Sequence, residues 1–215
     1  MPAGRSPRLS ILMPYRDAEA TLDEALASVL AERTPALELI AVDDGSEDEG
    51  AKRVQSWAAR DARVVQVEGV GGGIADALGR GLKHSRAPFL ARMDADDICL
   101  PGRFAETLAA LEADPRLGAV GARVEAFPEP AVGEGLRLFV EWQNGLLSPE
   151  DHHREIFIDA PLCNPSTTFR RHAFEDVGGY LDDGLAEDYS LWLRLDEAGY
   201  RLRKLPATLL RWRQQ

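Results

Sequence analysis

Over roughly the first 110 residues, short apolar runs alternate with stretches of helical periodicity, and this rhythm restricts the fold more than any other feature of the chain. Residues 9–14 (LSILMP), 37–42 (LELIAV), 64–67 and 89–93 have the length and aliphatic content of strands. After the first run, Leu22, Ala25, Leu26, Val29 and Leu30 recur at helical spacing, with Thr21 and Glu24 spaced as a capping box. Further helices are predicted around 54–58 and 73–84, and Pro101 stands where a first-turn proline would open the next. Strands separated by helices must be joined by crossovers, so the pattern predicts an α/β domain whose largely parallel central sheet is flanked by helices. Beyond Gly121 the rhythm loosens: Pro128, Pro130, Pro149, Pro161 and Pro165 predict loops around a helix near 136–147. A late helix over about 188–198 precedes two strand-like runs, YRLRKL and ATLLRW. The 215 residues contain no repeat or low-complexity linker, and a single domain spanning 1–215 is expected.

Acidic residues cluster where this architecture places ligands. Asp43 and Asp44 end the second strand, and Asp94, Asp96 and Asp97 end the fourth in "MDADD". In open α/β sheets the binding crevice lies beyond the carboxyl ends of the strands, and neighbouring strand ends would bring these carboxylates together. Their mutual repulsion calls for a compensating cation. Hard carboxylate oxygens suit Mg²⁺ or Mn²⁺, ions that bind substrate phosphates at the same time. If the chain is still extended there, Asp94 and Asp96 face one side while Asp97 points away. An EF-hand is excluded, because Cys99 falls on its glycine position and Ala105 on its bidentate glutamate. Plainer readings stay open: DADD as the cap of the following helix, DDGS as a turn, and Asp188 as an N-cap.

Taken together and in order, "MPYRDAEATLDEALASVL", "IAVDDGSEDEG", "ARMDADDICLPGRF" and "AEDYSLWLRL" resemble the family 2 glycosyltransferases of the GT-A fold. The resemblance runs from Leu9 to about Trp212. It implies an inverting, metal-dependent transfer of a sugar from a nucleotide-diphosphate sugar, with UDP the expected nucleotide, to an acceptor hydroxyl on a carbohydrate or a lipid-linked carrier. It also implies a nucleotide-binding half over about 1–110 and an acceptor-binding half over about 111–215. Pro14 and Asp43 would line the base pocket, Asp94 would reach the ribose, Asp96 would hold Mn²⁺ or Mg²⁺ on the diphosphate, and Asp188 would be the catalytic base. Glu187 and Asn164 would lie on the acceptor side. A carboxylate at Asp43 is a strong acceptor for the N3 hydrogen of uracil. At the start of a helix, the dipole would favour the ionised form of Asp188.

Four positions depart from the family pattern, among them Gly79 in ALGRGL, where the family often carries an asparagine. Arg16 replaces an aromatic residue in the first loop, where its guanidinium can stack on a base or reach phosphate, and Asp17 replaces an asparagine. Gln215 stands where the family often carries a terminal histidine, so either the metal shell lacks that ligand or the sequence stops short. Two other classes remain open. A sugar-phosphate nucleotidyltransferase would need a glycine-rich basic loop that MPYRDAEA does not supply, and a noncatalytic binding module could dispense with Asp96 or Asp188.

With 25 Lys+Arg against 36 Asp+Glu, the net charge of −11 argues against a nucleic-acid partner. No run approaches the ~18 apolar residues of a membrane span and the N-terminus lacks a signal-peptide core, so a cytoplasmic protein with at most a peripheral membrane encounter is expected. Cys99 and Cys163 match no metal or redox spacing and are expected to be packed, reduced side chains. His152 and His153 are expected on a solvated loop, and Trp192 within a helical core stripe.

Overall fold

The computed structural model describes residues 6–214; Gln215 lies outside the described residues. The strands are β1 (Leu9–Tyr15), β2 (Leu37–Asp43), β3 (Val64–Glu68), β4 (Phe89–Arg92), β5 (Ile98–Cys99), β6 (Leu117–Phe127), β7 (Thr168–Arg170) and β8 (Arg201–Arg213). The helices are α1 (Leu22–Leu30), α2 (Gly50–Arg60), α3 (Ile74–His84), α4 (Arg103–Ala113), α5 (Glu134–Gly145), α6 (Pro149–Glu155), α7 (Arg171–Asp176) and α8 (Glu187–Glu197). All eight strands share one sheet in the order β3-β2-β1-β4-β7-β6-β8-β5. Its first four strands are parallel. The short β7 runs antiparallel between β4 and β6, and β8 then lies parallel to β6.

Every residue of β1 is buried. Leu9, Ile11 and Met13 join the layer of Leu22, Leu26, Phe104 and Leu108 from α1 and α4, whereas Leu12 packs with Ile40, Val42 and the α3 residues Ala77 and Leu78. A strand covered on both faces has no polar side to show, which is why the sequence reads as an unbroken apolar run there. In the second half, α7 and α8 pack on β7: Phe169, Phe174, Leu191, Trp192 and Leu195 form one cluster. Trp192 is wholly buried and stacks on Phe169 with centroids 5.6 Å apart, so it packs as its helical spacing predicts. Cys99 and Cys163 are buried free thiols.

Local expectations fail where tertiary contacts compete. Thr21 makes no cap on α1; its hydroxyl donates to the Ala95 carbonyl at 3.0 Å and fastens the helix start to the acidic turn after β4. α4 opens at Arg103 rather than Pro101, because Gly102 sits in the left-handed region at φ 88° and cannot belong to a right-handed helix. The two C-terminal runs are one strand, in which Pro206 has no N–H to donate and the register slips between the Leu205–Ala122 and Thr208–Arg123 pairs.

The expected loop at His152 and His153 is instead α6, opened by a capping box between Ser148 and Asp151, an Asp where the usual pattern has Glu or Gln. His152 is buried with neither ring nitrogen hydrogen-bonded, and burial lowers its pKa to about 3. Only His153 is exposed, 2.8 Å from Asp196. Among the described residues, no helix is long and apolar enough to cross a membrane.

Candidate active site

The carboxyl ends of β2, β1 and β4 lie side by side, with β1 in the middle. The two aspartate groups are therefore not on neighbouring strands, as the sequence led us to expect; they are two strand spacings apart, roughly 9–10 Å. The end of β1 fills the gap. A cleft of about 260 Å³ is lined there by Pro14, Arg16, Asp17, Thr21, Asp94 and Asp96. A second, of about 140 Å³, shares Pro14, Arg16 and Asp94 and adds Asp44, Ile74 and Arg92. Pro14, Arg16 and Asp94 thus stand where the two clefts meet.

Asp43 ends β2 in register with Tyr15 of β1 and lines neither cleft. Its Oδ1 accepts hydrogen bonds from the Ser46 amide at 2.9 Å and the Ser46 hydroxyl at 2.7 Å, so Asp43 closes the DDGS turn with one oxygen and keeps Oδ2. Asp44, read from sequence as part of the turn, is a trough residue: it accepts from the Gly73 amide at 3.1 Å and ties β2 to the glycine-rich loop before α3. Asp17 takes φ 49°, a conformation that Asp and Asn tolerate best among residues with a Cβ, and its Oδ1 accepts from the Glu47 amide at 2.7 Å. The first two loops are fixed to each other before any ligand arrives.

The acidic segment after β4 is a turn and not an extended strand; the Asp97 amide donates back to the Asp94 carbonyl. That turn corrects the expectation for Asp97. Instead of pointing away, it joins the others, and one carboxylate oxygen from each of Asp94, Asp96 and Asp97 lies within 4.8 Å of the other two. Asp94 is paired with Arg92, whose side chain is almost wholly buried. Asp97 is fully buried: its Oδ1 accepts from the Arg213 amide at 2.7 Å, and its Oδ2 has no hydrogen-bond partner among the described residues. Burial, and then the nearby charge of Asp94, push its pKa up to about 8. Arg213 also donates from Nε to the Asp96 carbonyl at 2.6 Å, so the end of β8 braces the turn. Three gathered carboxylates with an orphaned buried oxygen fit a hard divalent cation.

Asp188 lies one residue inside α8, after Glu187; the N-cap is Ala186, so the N-cap reading of Asp188 fails. Burial, and then the charge of Glu187, raise its pKa to about 6. The dipole-driven preference for the charged form is outweighed, although the Tyr189 amide at 2.7 Å and Arg92 act in that direction. Asn164 is buried in a 3₁₀ turn and accepts from the Tyr180 hydroxyl at 2.7 Å. In VGGY, Gly178 and Gly179 have φ 83° and 66°, and a Cβ on Gly179 would meet Phe174 at 2.7 Å, so these glycines serve backbone geometry. Arg92 connects the two halves, pairing with Asp94 while its charge acts on Asp188. Sequence reasoning missed Arg92, Asp97, Tyr180 and Arg213. For Arg92 a signal existed: a charged residue ending an otherwise apolar strand.

The sequence profile described as glycosyl transferase family 2 matches residues 10–178. The chain belongs to glycosyltransferase family 2. Consistent with that, this family 2 chain is 32% identical over 193 residues to the amylovoran biosynthesis glycosyltransferase AmsE of Erwinia amylovora, covering 89% of this chain and 70% of that protein. S. aureus TarS, solved with UDP-GlcNAc, superposes with a TM-score of 0.77 at 17% identity, over 97% of this chain and 59% of that one. The mannosyltransferase PcManGT of Pyrobaculum calidifontis, solved with GDP-Man and Mn²⁺, gives 0.73 at 23% identity, over 97% and 57%. The fold is GT-A, and the chain spans a little over half the length of these solved relatives.

Proposed function

We propose that this family 2 chain is an inverting glycosyltransferase that moves a sugar from a nucleotide-diphosphate donor, a UDP-sugar in the first instance, to an acceptor hydroxyl. The observation that carries the reading is the trough at the ends of β1, β2 and β4, with the acidic turn on one side and a half-buried Asp188 at the start of α8. Pro14 and Arg16 would form the floor under the base, and Asp43 would offer Oδ2 to its ring N–H. Asp94, held by Arg92, would take the ribose hydroxyls. Asp96 would hold Mn²⁺ or Mg²⁺, which neutralises charge on a diphosphate leaving group. A related fold solved with GDP-Man and Mn²⁺, and another with UDP-GlcNAc, support this assignment of the trough.

Asp188 would accept the proton of the attacking hydroxyl. With a pKa of about 6 it is largely ionised at neutral pH yet more basic than an ordinary aspartate, as a general base should be. Glu187 and Asn164 would face the acceptor, a carbohydrate or lipid-linked carrier met from the aqueous side. In this reading residues 1–110 hold the donor, 111–215 hold the acceptor, and the two work as one catalytic unit on a shared sheet.

The test is nucleotide release from UDP-glucose, UDP-galactose, UDP-GlcNAc and GDP-mannose, each with Mn²⁺ and with chelator, water serving as acceptor. The reading predicts metal-dependent release of a nucleoside diphosphate and a freed sugar of inverted anomeric configuration. Retention would remove the inverting mechanism. Formation of a nucleoside triphosphate from donor and pyrophosphate, with no hydrolysis, would instead favour a nucleotidyltransferase.

A further inference from the structure

We infer that Asp97, through Oδ2, is a ligand of the divalent cation, and that the end of β8 sets this ligand in place. The inference rests on the cation proposed above and extends it beyond the D-x-D pair to a residue that sequence spacing turned away from the site.

Asp97 is fully buried, and Oδ2 has no hydrogen-bond partner among the described residues. Neither protonation state removes the difficulty. An ionised Oδ2 is a buried acceptor with no donor, and a protonated Oδ2 is a buried donor with no acceptor. The buried guanidinium of Arg103 acts on Asp97 through its charge but does not satisfy Oδ2: its Nη atoms donate to Met93 Sδ and to the carbonyls of Arg92 and Pro165, and its Nε makes no hydrogen bond among the described residues. What faces Asp97 within 4.8 Å is two more carboxylates, one from Asp94 and one from Asp96. A bound cation satisfies the orphaned oxygen and removes the repulsion together.

The rest of the turn is built for such an ion. The Arg213 amide holds Oδ1 at 2.7 Å, leaving Oδ2 as the oxygen available to a ligand. Its guanidinium fixes the Asp96 carbonyl from the same strand end. Asp97 then stands as a second carboxylate ligand beside Asp96, leaving the other positions of the shell to water and diphosphate oxygens.

Asp97→Asn isolates the claim, since the amide keeps an oxygen for the Arg213 N–H and puts a poor ligand, –NH₂, at Oδ2. Mn²⁺ binding is measured by titration calorimetry on the full chain, alone and with UDP, for wild type, Asp96→Asn and Asp97→Asn. Outer-shell partners of metal ligands are worth about 10–100-fold in affinity, so losing a ligand should weaken Mn²⁺ by at least about tenfold. UDP affinity in chelator should not change, and metal-free thermal stability should not fall. Wild-type affinity in Asp97→Asn with a loss in Asp96→Asn would overturn the inference and leave the cation reading standing. No Mn²⁺ binding by wild type would overturn both. A crystal structure of the wild-type chain with Mn²⁺ and UDP reads the same question without a variant: an Asp97 oxygen in the ion's coordination shell supports the inference, and its absence there refutes it.

Discussion

Replacing Asp188 by Asn should abolish most of the transfer while leaving the protein at least as stable as before, a combination that separates a base from a structural residue. The amide is nearly isosteric and cannot take a proton at neutral pH, and general base catalysis is typically worth about 10²–10⁴-fold, so donor turnover should fall by that order with UDP affinity unchanged. The pH dependence follows from the raised pKa. A base with a pKa of about 6 is ionised to roughly 9% at pH 5 and 91% at pH 7, so the wild-type rate should climb about tenfold between them.

Stability should move the opposite way. A carboxyl whose folded pKa is raised binds its proton more tightly when folded, so it favours the folded state below the unfolded value of 3.8 and loses that contribution as pH rises through about 6. The rise from 3.8 to about 6 is worth at most about 3 kcal/mol, and less after screening at a half-buried site. Asp188→Asn should accordingly match wild type at about pH 3 and exceed it above pH 7 in urea unfolding. Wild-type turnover by the variant, measured as UDP released from the preferred donor, would place the base elsewhere. A collapse of its stability would make Asp188 structural.

Three further outcomes follow from the geometry. Asp43→Ala should erase a preference for UDP over CDP of about 10–100-fold, seen by competition calorimetry, because cytosine N3 has no hydrogen to give; no wild-type preference would take Asp43 out of the base pocket. Trp192→Ala removes the wholly buried ring stacked on Phe169 and should cost about 3–5 kcal/mol in denaturant unfolding; a loss below ~1 kcal/mol would mean that the layer between α8 and β7 collapses to fill the gap. Gly179→Ala should destabilise by more than about 1 kcal/mol, because a Cβ there is strained at φ 66° and meets the Phe174 ring at 2.7 Å, and an unchanged melting temperature would contradict the close packing of that turn.

The strands and helices of the first half were legible because each β-run is apolar on both faces and each helix carries a one-sided stripe, patterns that need no partner to be read. The acid at Asp94 and Asp96 was legible as charge following an apolar run, but the extended chain supposed there is a turn. Asp188 was placed on its helix correctly, yet the direction of its pKa shift was not legible: the dipole can be read from sequence, whereas the burial that outweighs it depends on what packs over α8. The same limit explains Thr21, whose hydroxyl prefers a carbonyl 74 residues away to its own helix.

The sequence by itself determined the alternation of elements, the strand ends that carry acid, and the family. Local periodicity and turn chemistry act over a few residues, and a single chain records them directly. Tertiary structure alone decided that β1 separates the two acidic groups, that Asp97 folds back to join Asp94 and Asp96, and that β8 reaches the acidic turn from 116 positions downstream to hold Asp97 by a backbone amide. Those outcomes depend on strand order and long-range hydrogen bonds, which no spacing within "MDADD" encodes.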